Sequence, residues 1–162
     1  MTEALAEARE MLAEITPLKK DCGQMCGARC CRSLPGEETG MLLFPGEESL
    51  YRDREGWRVL DTEQGMLVIC PGTCRREERP LSCRIFPLLP VLRGTEIKTA
   101  TDLRARPVCP LAQIGKKALD PAFVAAVAEA GRRLAEDEKQ AAFLRKLTEG
   151  QDALKKLIEQ FL

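Results

Sequence analysis

Four thiols crowd into ten residues, Cys22, Cys26, Cys30 and Cys31, in the stretch Asp-Cys-Gly-Gln-Met-Cys-Gly-Ala-Arg-Cys-Cys. Four more follow at Cys70, Cys74, Cys83 and Cys109. Few folds can accommodate such a distribution unless the thiols share a task. The expectation is that all or most of the eight converge on one metal centre or a close pair of centres. Disulfides are the alternative. They need an oxidising compartment, and cysteine at about 5% of the chain is below the roughly 8–10% of a disulfide scaffold.

The residue types that are missing narrow the chemistry. The chain has no histidine. That removes Ser-His-Asp and Cys-His catalysis and every mixed Cys/His zinc site. A transition metal here would be held by thiolate, with carboxylate as the minor option. Lys+Arg and Asp+Glu are both 25, so net charge gives no reason to expect nucleic acid or a membrane surface as partner. Met1–Ile15 carries several glutamates and no continuous apolar run, unlike a signal peptide or a membrane span. The expected location is therefore the cytoplasm, where thiols stay reduced.

At 162 residues a single domain, 1–162, is expected. It divides into an N-terminal helix within 1–20, a cysteine-rich core over 21–110 and C-terminal helices over 120–162. Thr2 can cap a helix whose Leu5, Ala8, Leu12 and Ile15 share a face, ending before Pro17. The C-x3-C-x3-C spacing would place three thiols on one helical face, but Gly23 and Gly27 argue for tight turns or a broken helix. Pro35-Gly36, Gly40 and Pro45-Gly46 punctuate the next stretch, with Met41–Phe44 as a short strand. Glu47–Arg54 reads as a short helix. Glu37-Glu38 and Glu47-Glu48 read as solvated loop charges, although a glutamate beside the thiols can act as ligand or base. Trp57–Leu60 and Met66–Ile69 read as strands joined by a turn at Gln64-Gly65, the second delivering Cys70. Leu88–Leu92 and Thr95–Thr99 suggest a hairpin through Arg93-Gly94. Cys109, between Pro107 and Pro110, falls in a stretch expected to be irregular. Asp120 and Pro121 start a long amphipathic helix, Gly150 closes it, and Gln151–Leu162 forms a last helix with Leu154, Leu157, Ile158 and Phe161 on one face. The fold class is thus α+β and α-rich. Terminal helices pack around an irregular, metal-stapled centre with short β-hairpins.

Zinc and iron–sulfur centres both take four thiolates, so eight thiols suit two sites, or one site with spare thiols. Adjacent side chains in extended backbone point in opposite directions. Cys30 and Cys31 therefore serve two ions, or a cluster and something else, more readily than one tetrahedral ion. Eight thiolates exceed the charge of two divalent ions. Arg29, Arg32, Arg75, Arg76, Arg79 and Arg84 lie near the cysteines in sequence and can offset the remainder or donate to sulfur.

Cys22–Cys31 followed by Cys70, Cys74 and Arg79-Pro80-Leu81-Ser82-Cys83-Arg84-Ile85-Phe86-Pro87 resembles the YkgJ-like cysteine-cluster family, whose pattern is C-x2-C-x2-C-C and then R-P-x-x-C-R-x-F. Arg79, Pro80, Cys83, Arg84, Phe86 and Pro87 fit the second half. The first cluster departs from it with three-residue gaps, Cys109 lies beyond the motif, and the usual Ile-Tyr before the Arg-Pro segment is missing. The resemblance implies a zinc- or iron-chelating domain. A related cysteine motif occurs in flagellin lysine methylases, where it implies an iron–sulfur cluster. No glycine-rich strand–turn–helix unit for a nucleotide-like cosubstrate is present.

The expected function is that of a small metal-binding protein with all eight cysteines as ligands, holding an iron–sulfur cluster by preference or zinc. Its role would be redox or accessory. The alternatives are a structural-zinc module whose C-terminal helices bind a protein partner, and a subunit assisting a modifying enzyme such as a protein methylase. Enzymatic activity and oligomeric state are left open.

Overall fold

The computed structural model describes residues 1–32 and 40–161. The expected Pro35-Gly36 turn and the Glu37-Glu38 pair lie outside the described residues.

Thr2 caps the first helix as its sequence suggests, accepting the Leu5 amide at 3.4 Å. The helix, α1, spans Glu3–Met11 and stops short of Ile15. The cause lies far along the chain. The Arg76 guanidinium donates to the carbonyls of Leu12 at 3.0 Å and Ile15 at 2.5 Å, and also to that of Ala13. These carbonyls are drawn to a side-chain cation instead of continuing the helical ladder.

The other helices are α2 (Cys22–Cys26), α3 (Leu81–Ile85), α4 (Pro110–Ile114), α5 (Pro121–Ala135) and α6 (Glu138–Gln160). The strands are β1 (Met41–Leu42), β2 (Arg58–Thr62), β3 (Gly65–Ile69), β4 (Leu88–Arg93) and β5 (Glu96–Thr101). The architecture is α+β and α-rich, as expected. β1, β3 and β2 form an antiparallel sheet in that order, with Met41 and Val59 both opposite Val68. β4 and β5 form a separate hairpin in which Arg93 pairs with Glu96, so the turn is Gly94-Thr95, one residue later than expected. Gly94 supplies the positive φ of +62°. β1 is shorter than expected because the Phe44 amide turns away to the Glu47 carboxylate at 3.1 Å.

The C-terminal helices divide elsewhere than expected. Asp120 caps α5 through the Ala122 amide at 2.9 Å, with Pro121 at its first position. The break then falls at Glu136-Asp137, where Asp137 accepts the Gln140 amide at 3.0 Å and starts α6. Gly150 therefore sits inside α6 and does not close a helix. The stretch around Cys109 is also more regular than expected, since Pro110 is the first residue of α4 and Cys109 occupies the capping position.

The main core lies where α1, α5 and α6 meet the β4–β5 hairpin and α3. Leu5, Leu12, Leu81, Leu88, Phe123 and Leu144 are sealed within it. The approach of α5 to the hairpin is close. A Cβ on Gly131 would lie 2.6 Å from Pro90 Cβ and 2.9 Å from Ile97 Cγ2, so only glycine fits there. Thr148 on α6 accepts the Leu92 amide of β4 at 2.9 Å, tying the second long helix to the same hairpin. A smaller apolar group, Leu43, Tyr51, Trp57 and Val68, lies under the three-stranded sheet, with Cys70 and Cys74 packed against it. No described helix is long and apolar enough to cross a membrane.

Candidate metal centre

The first cysteine segment breaks its helix twice, as its glycines suggest. Asp21 caps α2 by accepting the Gly23 amide at 3.0 Å. Cys22 and Cys26 then stand one turn apart, and the Cys26 thiol donates to the Cys22 carbonyl at 3.6 Å. Gly27, at φ +63°, ends the helix, and Ala28, at φ +53°, continues in the left-handed region. That conformation is costly for a residue with a side chain. The two left-handed residues remove Cys30 from the helical face that Cys22 and Cys26 share. Arg29–Cys31 forms a single 3-10 turn, with the Cys30 and Cys31 sulfurs 4.0 Å apart.

The second segment meets the first directly. Gly72, at φ +82°, turns the chain between Cys70 and Cys74, and a Cβ there would come 3.3 Å from the Cys31 carbonyl oxygen. Cys83 lies on α3, which Pro80 precedes. The cysteines Cys22, Cys30, Cys31, Cys70, Cys74 and Cys83 line one open cavity of about 390 Å³, together with Asp21, Trp57, Arg79 and Phe86. Cys26 and Cys109 are not part of this lining, yet both thiols act on Cys22 electrostatically. All eight cysteines are free of disulfides.

The arginines divide by task, and most are not where the charge argument expects them. Arg84 is buried and donates to three carbonyls, those of Arg9 at 2.8 Å, Glu77 at 2.9 Å and Arg79 at 3.0 Å. Arg76 holds the end of α1. Arg75 is exposed and pairs with Glu78 at 2.9 Å. Arg79 is an arginine that acts on sulfur: it lines the cavity with Cys74, and its charge opposes the rise in proton affinity at Cys74 and lowers that of Cys31 and Cys22. The Arg-Pro-Leu-Ser-Cys-Arg segment thus uses its first arginine on the thiols and its last on the backbone.

Glu47 was expected to be a solvated loop charge and is the reverse. It is fully buried, ion-paired with Arg9, and accepts the Phe44 amide at 3.1 Å and the Leu81 amide at 2.8 Å. Burial raises its pKa against the pull of Arg9 and the two amides. The carboxylate fixes α1, the turn after β1 and the start of α3 to one another, and so positions Cys83. The sequence does hold a signal for this, since Glu47 is followed by two polar residues but flanked on its other side by Phe44-Pro45-Gly46, a turn that can fold an acid inward.

Proton affinities within the cavity are uneven. Burial is the main cause that pushes up Cys83, followed by the Cys31, Cys74 and Cys70 thiols. Burial also raises Cys74, against the opposing Arg79. Cys22 is raised by burial first and then by Asp21, Cys26 and Cys109. The vicinal pair splits: the hydrogen bond between the two sulfurs raises Cys30 and lowers Cys31 to about 6. The two sulfurs titrate as a pair, with Cys31 the member that loses its proton first.

The donor set suits a soft metal: six thiols around one cavity, an arginine beside them and no competing imidazole. As they stand, no group of three or more Cys, Asp or Glu side chains among the described residues is gathered closely enough to hold an ion. The structure juxtaposes the thiols without closing them around a point. No family model matches the chain, and neither the curated proteins nor the solved structures give a match.

Proposed function

We propose that this chain is a cytoplasmic thiolate metal protein, holding an iron–sulfur cluster by preference or zinc, with a redox or accessory role. One observation carries the reading. Two cysteine segments about fifty residues apart are folded so that six thiols line a common cavity. Residues 21–32 contain no buried side chain and only short helical turns, so a bound metal would supply much of their order and its binding energy is partly folding energy. Drawing the thiols inward is the conformational work that binding would do. Cys31 is the thiol whose proton affinity is lowered, by the hydrogen bond with Cys30 and then by Arg79, and so gives up its proton to a metal more readily than Cys30. A bound cluster would supply one-electron chemistry and bound zinc only a structural tie. The preference for iron–sulfur rests on the all-cysteine donor set and the vicinal pair. The motif resemblance to the cysteine-cluster family points the same way.

Anaerobic purification followed by metal analysis and visible absorption tests this. A brown protein with iron and acid-labile sulfide is the expected result. Zinc alone, colourless and redox-silent, overturns the iron–sulfur preference. A chain that retains no metal and accepts none overturns the proposal.

A second role, binding of a protein partner through the C-terminal helices, is favoured by a separate observation. Leu157 is 50% exposed and Phe161 is 82% exposed, at the end of α6 that runs past the core. A Leu157→Glu variant that leaves every pull-down partner and the oligomeric state unchanged overturns it.

A further inference from the structure

Cys30 and Cys31 hold their sulfurs 4.0 Å apart in the 3-10 turn that follows the left-handed Gly27 and Ala28. The opposite side-chain directions expected of extended backbone do not apply here, and the two thiols converge. Cys30 is exposed, Cys31 is half-buried, and both line the open cavity. Among the described residues no group of three or more Cys, Asp or Glu forms around them to hold an ion. Two sulfurs alone suit a partner that takes two sulfurs alone. A tetrahedral zinc needs four ligands. A bond between the two sulfurs is strained, because adjacent Cα atoms are about 3.8 Å apart and a relaxed disulfide spans roughly 4.4–6.8 Å. One atom inserted between the sulfurs relieves that strain, since the ring is larger and the sulfurs need not meet. Trivalent arsenic carrying one organic group is such an atom, soft and with two places left for thiolate.

We propose that Cys30 and Cys31 form a dithiol site for trivalent arsenicals that carry one organic group, with that group seated against the apolar wall of the cavity. The reaction is a condensation. An arsenoxide takes both thiol protons onto its oxygen, two arsenic–sulfur bonds form, the arsenic–oxygen bond breaks and one water leaves. Arsenic stays trivalent, so no oxidant or reductant is needed. Met41, Trp57, Val68 and Phe86 line the same cavity and supply the wall. Trp57 is held there by stacking on Tyr51 at 4.9 Å. A volume of about 390 Å³ lies in the range of small-molecule pockets and admits a phenyl ring. The site is complete with two sulfurs in the metal-free chain, so it goes beyond the metal-centre reading and does not depend on it.

The reduced, metal-free chain is incubated with one equivalent of phenylarsine oxide, then followed by intact mass and by a count of free thiols. One phenylarsenic unit per chain, with two of the eight thiols consumed, is the expected result. Alkylation of this adduct in denaturant should leave Cys30 and Cys31 unmodified, a readout that needs no variant to fold. Cys30→Ser should hold the reagent about a hundredfold more weakly, because the second arsenic–sulfur bond is intramolecular, while Cys109→Ser should hold it as the wild type does. Protection of any other pair of cysteines, or a Cys30→Ser chain that binds as tightly as the wild type, overturns the proposal. Inorganic arsenite, which has three places for sulfur, should still consume two thiols; consumption of three overturns the two-sulfur geometry. The methyl arsenical tests the apolar seat. Relative to the denatured chain, it should pass to a competing dithiol about tenfold faster than the phenyl compound, and equal release overturns the seat. None of these readouts involves a metal, so they succeed or fail apart from the metal-centre reading.

Discussion

The helical side of the molecule and the thiol side are held together by different forces. Between α1, α5, α6 and the β4–β5 hairpin, Phe123, Leu134 and Leu144 are sealed from solvent and touch one another's neighbours in one continuous core. Burial of each such side chain is worth about 1.5–3 kcal/mol. Around the thiols the buried apolar group is small, Leu43, Tyr51, Trp57 and Val68, with Tyr51 and Trp57 stacked at 4.9 Å. The chain there is held by polar ties instead: Arg84 on three carbonyls, Arg76 on the end of α1, and Glu47 between Arg9 and two amides. These ties are directional and each is worth about 1.5–3 kcal/mol when charged. Such ties can fix loops in place without filling space between them. The cavity exists because this side is braced by hydrogen bonds and lacks enough apolar bulk to collapse.

The largest expected effect is on the helical side. Phe123→Ala should cost about 3–5 kcal/mol in denaturant unfolding, since the site is fully enclosed. Metal retained per folded chain should stay unchanged, and a parallel loss of metal would show that the two sides are not separable. On the thiol side, Arg84→Met keeps the bulk but strands three carbonyls. It should cost about 2–4 kcal/mol and also lower metal retention; a loss below about 0.5 kcal/mol would sink the view that polar ties brace this side. A smaller effect should appear with pH in the metal-free chain. The Cys83 thiol has a folded pKa raised above its ordinary value of 9.0. Its contribution is therefore present below pH 9 and is lost as pH rises, because the unfolded chain releases that proton first. Stability should fall above pH 9 by up to about 1.4 kcal/mol per pH unit for this proton, and Cys83→Ala should flatten the slope. An unchanged slope would move the effect to other thiols. The smallest effect is a gain. Gly150 lies within α6, and nothing lies within 4 Å of an added Cβ. Gly150→Ala should stabilise the chain by about 0.5–1 kcal/mol, detected as a small rise in melting temperature with the thiols unaffected.

The same contrast decided what could be read from the residues. Where apolar positions recur at helical or strand spacing, the elements follow: Thr2 and Asp120 cap as expected, and β2, β3 and the β4–β5 hairpin stand within a residue or two of their expected places. The break between α5 and α6 was missed because Asp137 lies in a run of acids, where a cap does not stand out, while Gly150 stands out and does nothing of the kind. At the thiols, composition and spacing pointed to convergence on one metal centre or a close pair; the structure brings six of the eight to one cavity without gathering them around a point. The roles of the charged residues were not legible. Arg76 and Arg84 are near the cysteines in sequence, but their partners are carbonyls on α1, just after it and before α3, contacts that span more than sixty residues for Arg76 and more than seventy for Arg84 to Arg9. Long-range pairing of this kind leaves no periodic trace. Glu47 was misjudged for the same reason, since its burial depends on Arg9 and Leu81 arriving from elsewhere.

Arg76 also has a mechanical meaning. It sits between Cys74 and Cys83 in the chain, yet its side chain grips carbonyls of Leu12 and Ile15, just past the end of α1. α1 in turn is ion-paired through Glu7 to Arg133 on α5. A tug on the loop that carries the thiols is thus delivered to the foot of the first helix and from there to the frame. The cation works as a tether, so that strain at the cavity reaches the helices through a polar contact as well as through the apolar packing of Leu81 and Ile85.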